Sequence, residues 1–157
     1  MNTSEEKIIP LTDRLPLNEE TIRELWSQTY NHEGKPDWSH IFKYYHPDIV
    51  FQDTIQRIEG IQNFVEMCNR LTQRTTQLRM EILAISQNGN VILFDWVMTM
   101  MFKKYPNTPM YGATKLVLSD DGLIKEQRDY YDLWGDIFNN IPRFGKMYRR
   151  FLVRKFG

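Results

Sequence analysis

Hydrophobic residues recur along this chain in two periods, and the change between them divides it. The first half is spaced for helices. Asn18 stands at an N-cap position, with Leu17 and Ile22 flanking it as a hydrophobic staple. Ile22, Leu25, Trp26, Thr29 and Tyr30 then share one helical face, and Gly34 and Pro36 end the run. Asp37 can cap a second, short helix through Trp38, Ile41, Phe42 and Tyr45, stopped near Pro47. Ile49 to Asp53 reads as a short strand and Gln56 to Ile58 as its return. Gly60 precedes a third helix, in which Ile61, Phe64, Val65, Cys68 and Leu71 would face a sheet.

Beyond residue 77 the period falls to two. Leu78, Met80, Ile82 and Ala84 alternate with Arg79, Glu81, Leu83 and Ile85, and Asn88-Gly89-Asn90 is a hairpin signal. Val91 to Phe102 reads as a long strand with two faces. One, Ile92, Phe94, Trp96, Met98, Met100 and Phe102, is wholly apolar. The other, Val91, Leu93, Asp95, Val97, Thr99 and Met101, is apolar with one carboxylate. Lys103 to Pro109 turns, Met110 to Leu118 is the next strand, and Asp120-Asp121-Gly122 is a tight turn. Leu123 to Leu133 is the last strand. Helices followed by an antiparallel meander define an α+β class. A sheet apolar on both faces needs two covers. The helices supply one, and a second subunit is expected over the other, because a face carrying Trp96, Met98 and Met100 would otherwise be a large exposed apolar patch.

The 157 residues suffice for one domain with a substantial core. Lys+Arg and Asp+Glu number 20 each, which removes the basic surplus of a dedicated nucleic-acid binder. No stretch of about 18 apolar residues is present, and the N-terminus has no apolar signal core, so the expected location is cytoplasmic. The single cysteine, Cys68, excludes an internal disulfide and reads as a small core residue. His32, His40 and His46 lack metal-ligand spacing and read as surface or capping residues. No phosphate loop or nucleophile elbow occurs, and no metal or organic cofactor is expected.

The candidate chemistry lies in three carboxylates set in apolar surroundings: Asp53, Asp95 and Asp129. An ionised carboxylate is costly to bury. Several in one apolar cleft raise one another's pKa, and burial adds to the rise. A carboxylate titrating near neutrality can take a proton from carbon or activate water. The structural alternative is that Asp53 caps a turn, Asp95 pairs with a neighbouring Arg or Lys, and Asp129 bonds backbone or Arg128. Gly112 lies inside a strand, where a ligand or another strand comes close.

The C-terminus has its own character. Residues 143–157 hold Arg143, Lys146, Arg149, Arg150, Arg154 and Lys155 and no acid, so +6 there leaves −6 for residues 1–142. Phe144, Met147, Tyr148, Phe151 and Leu152 form a helical stripe. Such a helix either docks on its own body or makes a weak contact with an anionic membrane surface or an acidic partner.

Four stretches carry a resemblance: "HPDIVFQDT" at 46–54, "IEGIQNFVEM" at 58–67, "GLIKEQRDYYDLW" at 122–134 and the helical N-terminal half. Together they resemble the nuclear transport factor 2-like superfamily, and within it the SnoaL-like group of polyketide cyclase and steroid isomerase relatives. The resemblance implies a cone: a strongly curved antiparallel sheet wrapped around helices, with a deep apolar pocket and commonly a homodimer formed through the sheet. Asp53 matches the position of the ketosteroid isomerase base, whereas that group's Tyr and carboxylic acid oxyanion donors are unmatched near Trp26-Ser27 and at Thr114. Arg128-Asp129-Tyr130-Tyr131-Asp132 nearly repeats a strand of limonene-epoxide hydrolases in which the residue matching Asp129 is catalytic. Their Arg-x-Asp is replaced by Asp95-Trp96-Val97, and their water-holding Tyr and Asn by Phe51 and Asp53.

The expectation is therefore an arm at 1–16, a SnoaL-like domain at 17–135 and a C-terminal basic helix at 136–157. Asp53, Asp95 and Asp129 are the catalytic candidates. Trp26, Tyr30, Phe51, Val97, Thr99, Gly112, Thr114 and Tyr131 are the pocket candidates. The expected function is binding of a small apolar or polycyclic molecule, with cofactor-free isomerase, cyclase or hydrolase chemistry by aspartate. The alternative is a non-catalytic dimeric carrier or a protein or membrane interaction module.

Overall fold

The computed structural model describes residues 14–102 and 108–157; the expected arm falls mostly outside these, as does most of the expected turn after Phe102. Helix α1 is Glu19–Ser27. A 3-10 turn over Ser39–Tyr44 leads into strand β1, Tyr45–Gln52, and a short return, β2, Arg57–Glu59. Helix α2 is Ile61–Arg74. Strands β3 (Thr75–Asn88), β4 (Val91–Phe102), β5 (Thr108–Leu118) and β6 (Ile124–Tyr131) follow. A wide turn over Leu133–Ile137 and a 3-10 turn over Phe138–Asn140 lead to helix α3, Phe144–Phe156. The class is α+β, as expected.

The strands form one curved, unclosed sheet of six in the order β2-β1-β6-β5-β4-β3. All neighbours are antiparallel except β1 and β6. β3 carries a bulge: Ile82 pairs with Trp96 and Ile85 with Phe94, so Leu83 and Ala84 together oppose Asp95. A bulge bends its strand and tightens the local twist, which helps the sheet wrap. The hollow side holds α1, α2 and the 3-10 turn. Ile22 and Trp26 of α1, Phe64 and Cys68 of α2, and Ile41 and Tyr44 are buried there against Leu78, Ile82, Ile92, Phe94 and Trp96. Burying each of the larger apolar side chains is worth about 1.5–3 kcal/mol.

The start of α1 follows its sequence signal. The Asn18 side chain accepts from the N–H groups of Glu20 and Thr21 at 3.0 Å each, and the Thr21 hydroxyl accepts from the Asn18 N–H at 2.9 Å. Its end comes three residues before the periodicity predicts. At Gln28 the chain turns extended, and Thr29 and Tyr30 leave the helix for the edge of the sheet. The Thr29 hydroxyl donates to the Leu78 carbonyl and the Leu78 N–H donates to the Tyr30 hydroxyl, both at 2.8 Å. These two bonds pair the outward N–H and carbonyl of Leu78 on an edge strand, where such groups otherwise have no ladder partner.

The two faces of β4 are reversed relative to the expectation. Trp96 and Met98 are buried and Met100 is half-buried, all toward the helices. They need no second subunit to cover them. The convex face instead presents Leu83, Leu93, Tyr111 and Tyr130, all exposed, with Val97 half-buried among them.

Candidate functional site

Between the sheet and α2 lies a cavity of about 540 Å³. Its walls are largely apolar and include Trp26, Ile41, Phe51, Phe64, Met67, Leu71, Met80, Trp96, Met98, Met100 and Met110. The polar groups on its sheet side come from β1, β5, β6 and the turn after β1: Tyr45, Asp53, Thr114, Gln127, Asp129 and Tyr131. Strand alternation places them. Gln127, Asp129 and Tyr131 point inward at a period of two while Glu126, Arg128 and Tyr130 are exposed outside. Thr114 is directly opposite Asp129 in the β5–β6 register.

The hydrogen bonds among Tyr45, Trp96, Thr114, Gln127 and Asp129 all run toward Asp129. The Trp96 indole N–H donates to the Thr114 hydroxyl at 2.9 Å, leaving the Thr114 proton to donate to Asp129 Oδ1 at 2.7 Å. The Tyr45 hydroxyl donates to Gln127 Oε1 at 2.5 Å. The Gln127 amide in turn reaches Asp129 Oδ1 at 3.0 Å and Oδ2 at 3.2 Å. Burial nonetheless dominates and pushes the Asp129 carboxyl up to about 6, against the pull of Thr114 and Gln127, with the Asp53 charge adding to the rise. The same burial raises the Tyr45 and Tyr131 hydroxyls, with Asp53 contributing at Tyr131, so both stay protonated donors. Cys68 lines the cavity too; burial, then the Asp129 charge, pushes its thiol up to about 12, so it is an inert thiol.

Asp53 has two tasks. Its Oδ1 accepts from the N–H groups of Ile55 and Gln56 at 2.8 Å each, the turn cap foreseen as the structural alternative. Its Oδ2 accepts from the Tyr131 hydroxyl at 3.1 Å, at the cavity wall. The cavity therefore holds a second carboxylate with a phenol on it. The Trp38 indole Nε1 is enclosed at the cavity wall and has no hydrogen-bond partner among the described residues.

Asp95 is not part of this cluster. It is exposed on the convex face, and its Oδ1 accepts from the Ala84 N–H at 2.7 Å. It caps the bulge in β3, where the extra residue leaves an N–H without a ladder partner. This backbone bond corrects the expectation of Asp95 as a catalytic candidate, and it also stands in place of the Arg or Lys pairing given as the structural alternative.

Of the eight expected pocket residues, Trp26, Phe51, Thr114 and Tyr131 line the cavity. Val97 and Thr99 do not, because they alternate with Trp96, Met98 and Met100 and so lie on the opposite side of the sheet. Tyr30 is drawn to the β3 edge. Gly112 is not a wall residue either: the Trp96 ring lies over it, and a Cβ there would sit 2.4 Å from that ring and 2.7 Å from the Tyr130 carbonyl. The close approach foreseen at this glycine is the indole of its cross-strand partner.

Sequence reading missed Tyr45, Gln127, Trp38 and the two arginines at the cavity edge, Arg70 and Arg74. Gln127 had a signal, being two residues before Asp129 on the same strand face. Tyr45 had none, since its side chain serves as core and as donor together. No group of three or more His, Cys, Asp or Glu side chains among the described residues is placed to hold a metal ion.

The SnoaL-like domain profile matches residues 26–127. The chain belongs to the SnoaL-like family. Its nuclear transport factor 2-like architecture recurs in solved structures of low identity. An LEH-like epoxide hydrolase of M. tuberculosis superposes with TM-score 0.61 at 19% identity, over 81% of this chain and 91% of that one. A protein assigned to the SnoaL-like polyketide cyclases, from Jannaschia sp. CCS1, gives 0.62 at 17%, over 83% and 97%. A ketosteroid isomerase-like protein from Catenulispora acidiphila, in complex with trimethylamine, gives 0.62 at 15%, over 81% and 92%. No curated protein matches this SnoaL-like chain. At these identities the likeness establishes the fold, and function rests on the site.

Proposed function

We propose that this SnoaL-like protein binds a small apolar molecule in the cavity and transfers a proton there with Asp129 as general base. The carrying observation is that one carboxyl, held by Thr114 and Gln127, faces an otherwise greasy hollow, where burial pushes its pKa up to about 6. A base is most effective when its pKa lies close to the working pH. Above pH 6 the Asp129 carboxylate can accept a proton from a carbon next to a carbonyl, or from water beside an electrophile. Its neighbours fix its orientation. The Tyr131 hydroxyl is already donated to Asp53, so the unpaired Trp38 N–H is the donor left for a developing oxyanion or a bound polar group.

Solvent deuterium exchange into 2-tetralone, a bicyclic ketone with acidic α-protons, tests the base. The protein should accelerate exchange, with the rate rising as pH increases through about 6. Asp129→Asn should lower the rate by about 10²–10⁴-fold, and Asp95→Asn should leave it unchanged. Exchange at the buffer rate, or equal loss in both variants, contradicts the assignment.

A second reading, a carrier that works at a membrane surface, is favoured by α3. Phe144 and Tyr148 dock the helix: Tyr148 stacks on Trp134 with ring centroids 5.1 Å apart, and Phe144 meets Phe138 at 5.7 Å. The other edge of its stripe, Met147 and Phe151, is exposed, as is Phe156, beside six cations. Leu133 and Ile137, in the segment carrying α3, also line the cavity. An anionic bilayer is the occupant that matches both features, and binding to charged vesicles tests it.

A further inference from the structure

We infer that the ligand of this cavity is an amphiphile with an anionic head, its apolar body inside and its carboxylate or sulfonate group held at the entrance by Arg70 and Arg74. This rests on the cavity being a ligand site, the reading proposed above. Most of the lining residues are buried or half-buried; the exposed ones are Ile55, Gln56, Arg70 and Arg74, which therefore mark where the cavity meets solvent. Both arginines stand on the face of α2 that carries Met67 and Leu71, at the helical spacing 67, 70, 71, 74. That face is apolar where it runs inside and cationic where it reaches the rim. Arg70 makes a long, solvent-exposed i,i+4 ion pair with Glu66 at 3.7 Å, which an anionic head would compete with.

The other charges at the cavity are acidic and already committed. Asp53 is tied to Ile55, Gln56 and Tyr131, and Asp129 to Thr114 and Gln127. They disfavour an anion in the interior and leave the α2 side of the rim as the place for one. Two guanidinium groups one turn apart can each present paired N–H donors to a carboxylate or sulfonate. A ligand held there by its head directs its opposite, uncharged end toward the floor, where Asp129 sits.

Fluorescence titration with 1-pyrenebutanoate and 1-pyrenebutanol at pH 8 separates the head from the body, since the two share one apolar body. The acid should bind about tenfold more tightly than the alcohol, with the preference shrinking as salt rises. In Arg70→Gln/Arg74→Gln the acid-to-alcohol ratio should fall close to one; glutamine preserves helix propensity at these exposed positions. Equal binding of acid and alcohol by the unsubstituted protein, or a ratio unchanged in the double variant, overturns the inference while leaving the cavity a ligand site. Binding of neither probe overturns both.

Discussion

Asp129 is pulled in two directions, and the balance has a measurable consequence. Its neighbours donate to it, which favours the ionised form, yet removal from water outweighs them and raises its pKa from 3.8 to about 6. Between about pH 4 and 6 the folded protein holds a proton that the unfolded chain has released. Stability from this group is therefore present at low pH and is lost as pH rises through that window. The loss approaches about 3 kcal/mol, from a shift of about two units at 1.36 kcal/mol each. Asp129→Asn keeps an acceptor for Thr114 and carries no charge. In denaturant titrations it should gain about 1–3 kcal/mol on the unsubstituted protein between pH 4 and 7.5. A difference independent of pH would show that burial does not strain this carboxyl. The three aspartates look alike in sequence, each a lone acid in apolar company. The structure separates them by what each accepts: side-chain donors at Asp129, a turn and a phenol at Asp53, a bulge N–H at Asp95. Period and composition do not register a bulge, so Asp95 was not separable from the others by pattern.

Among the elements, those whose signals are local were legible. The α1 cap, the α2 stripe and the hairpin at Asn88-Gly89-Asn90 all form as their residues dictate. Elements decided by distant contacts were not. Thr29 and Tyr30 continue a helical period yet leave the helix, because β3 offers them an unpaired backbone edge. The polarity of β4 was read backwards because both faces are apolar, and only the placement of the helices chooses between them. Helix α3 shows the same limit: docking and surface attachment both fit its sequence, and it docks by one edge while exposing the other. Each cation near an anionic bilayer adds about 1 kcal/mol of attraction. The protein should therefore co-sediment with phosphatidylcholine vesicles containing phosphatidylserine and stay free of pure phosphatidylcholine. Binding should weaken in Met147→Gln/Phe151→Gln and in high salt. Equal recovery with both vesicle types, or none with either, would remove the membrane reading.

At the scale of the whole molecule, the convex face leaves Leu83, Leu93, Tyr111 and Tyr130 in solvent. We propose that a second copy covers them in a homodimer. Sedimentation should give twice the chain mass at micromolar concentration and a shift toward monomer in Leu93→Lys/Tyr111→Lys; a monomer without substitution contradicts the dimer. The cavity itself was foreseen through family resemblance and not through period, because a hollow is made by what six strands and two helices fail to fill. Its polar floor needs β1, β5 and β6 together, and none of these carries the site alone. The account as a whole rests on a carboxyl in that hollow that changes charge near neutrality. Carbon-detected NMR titration of the aspartate side chains, with Asp129→Asn to assign the signal, reads this directly. The account predicts one aspartate with a midpoint near pH 6 that disappears in the variant. A midpoint for Asp129 at or below pH 4 would contradict it.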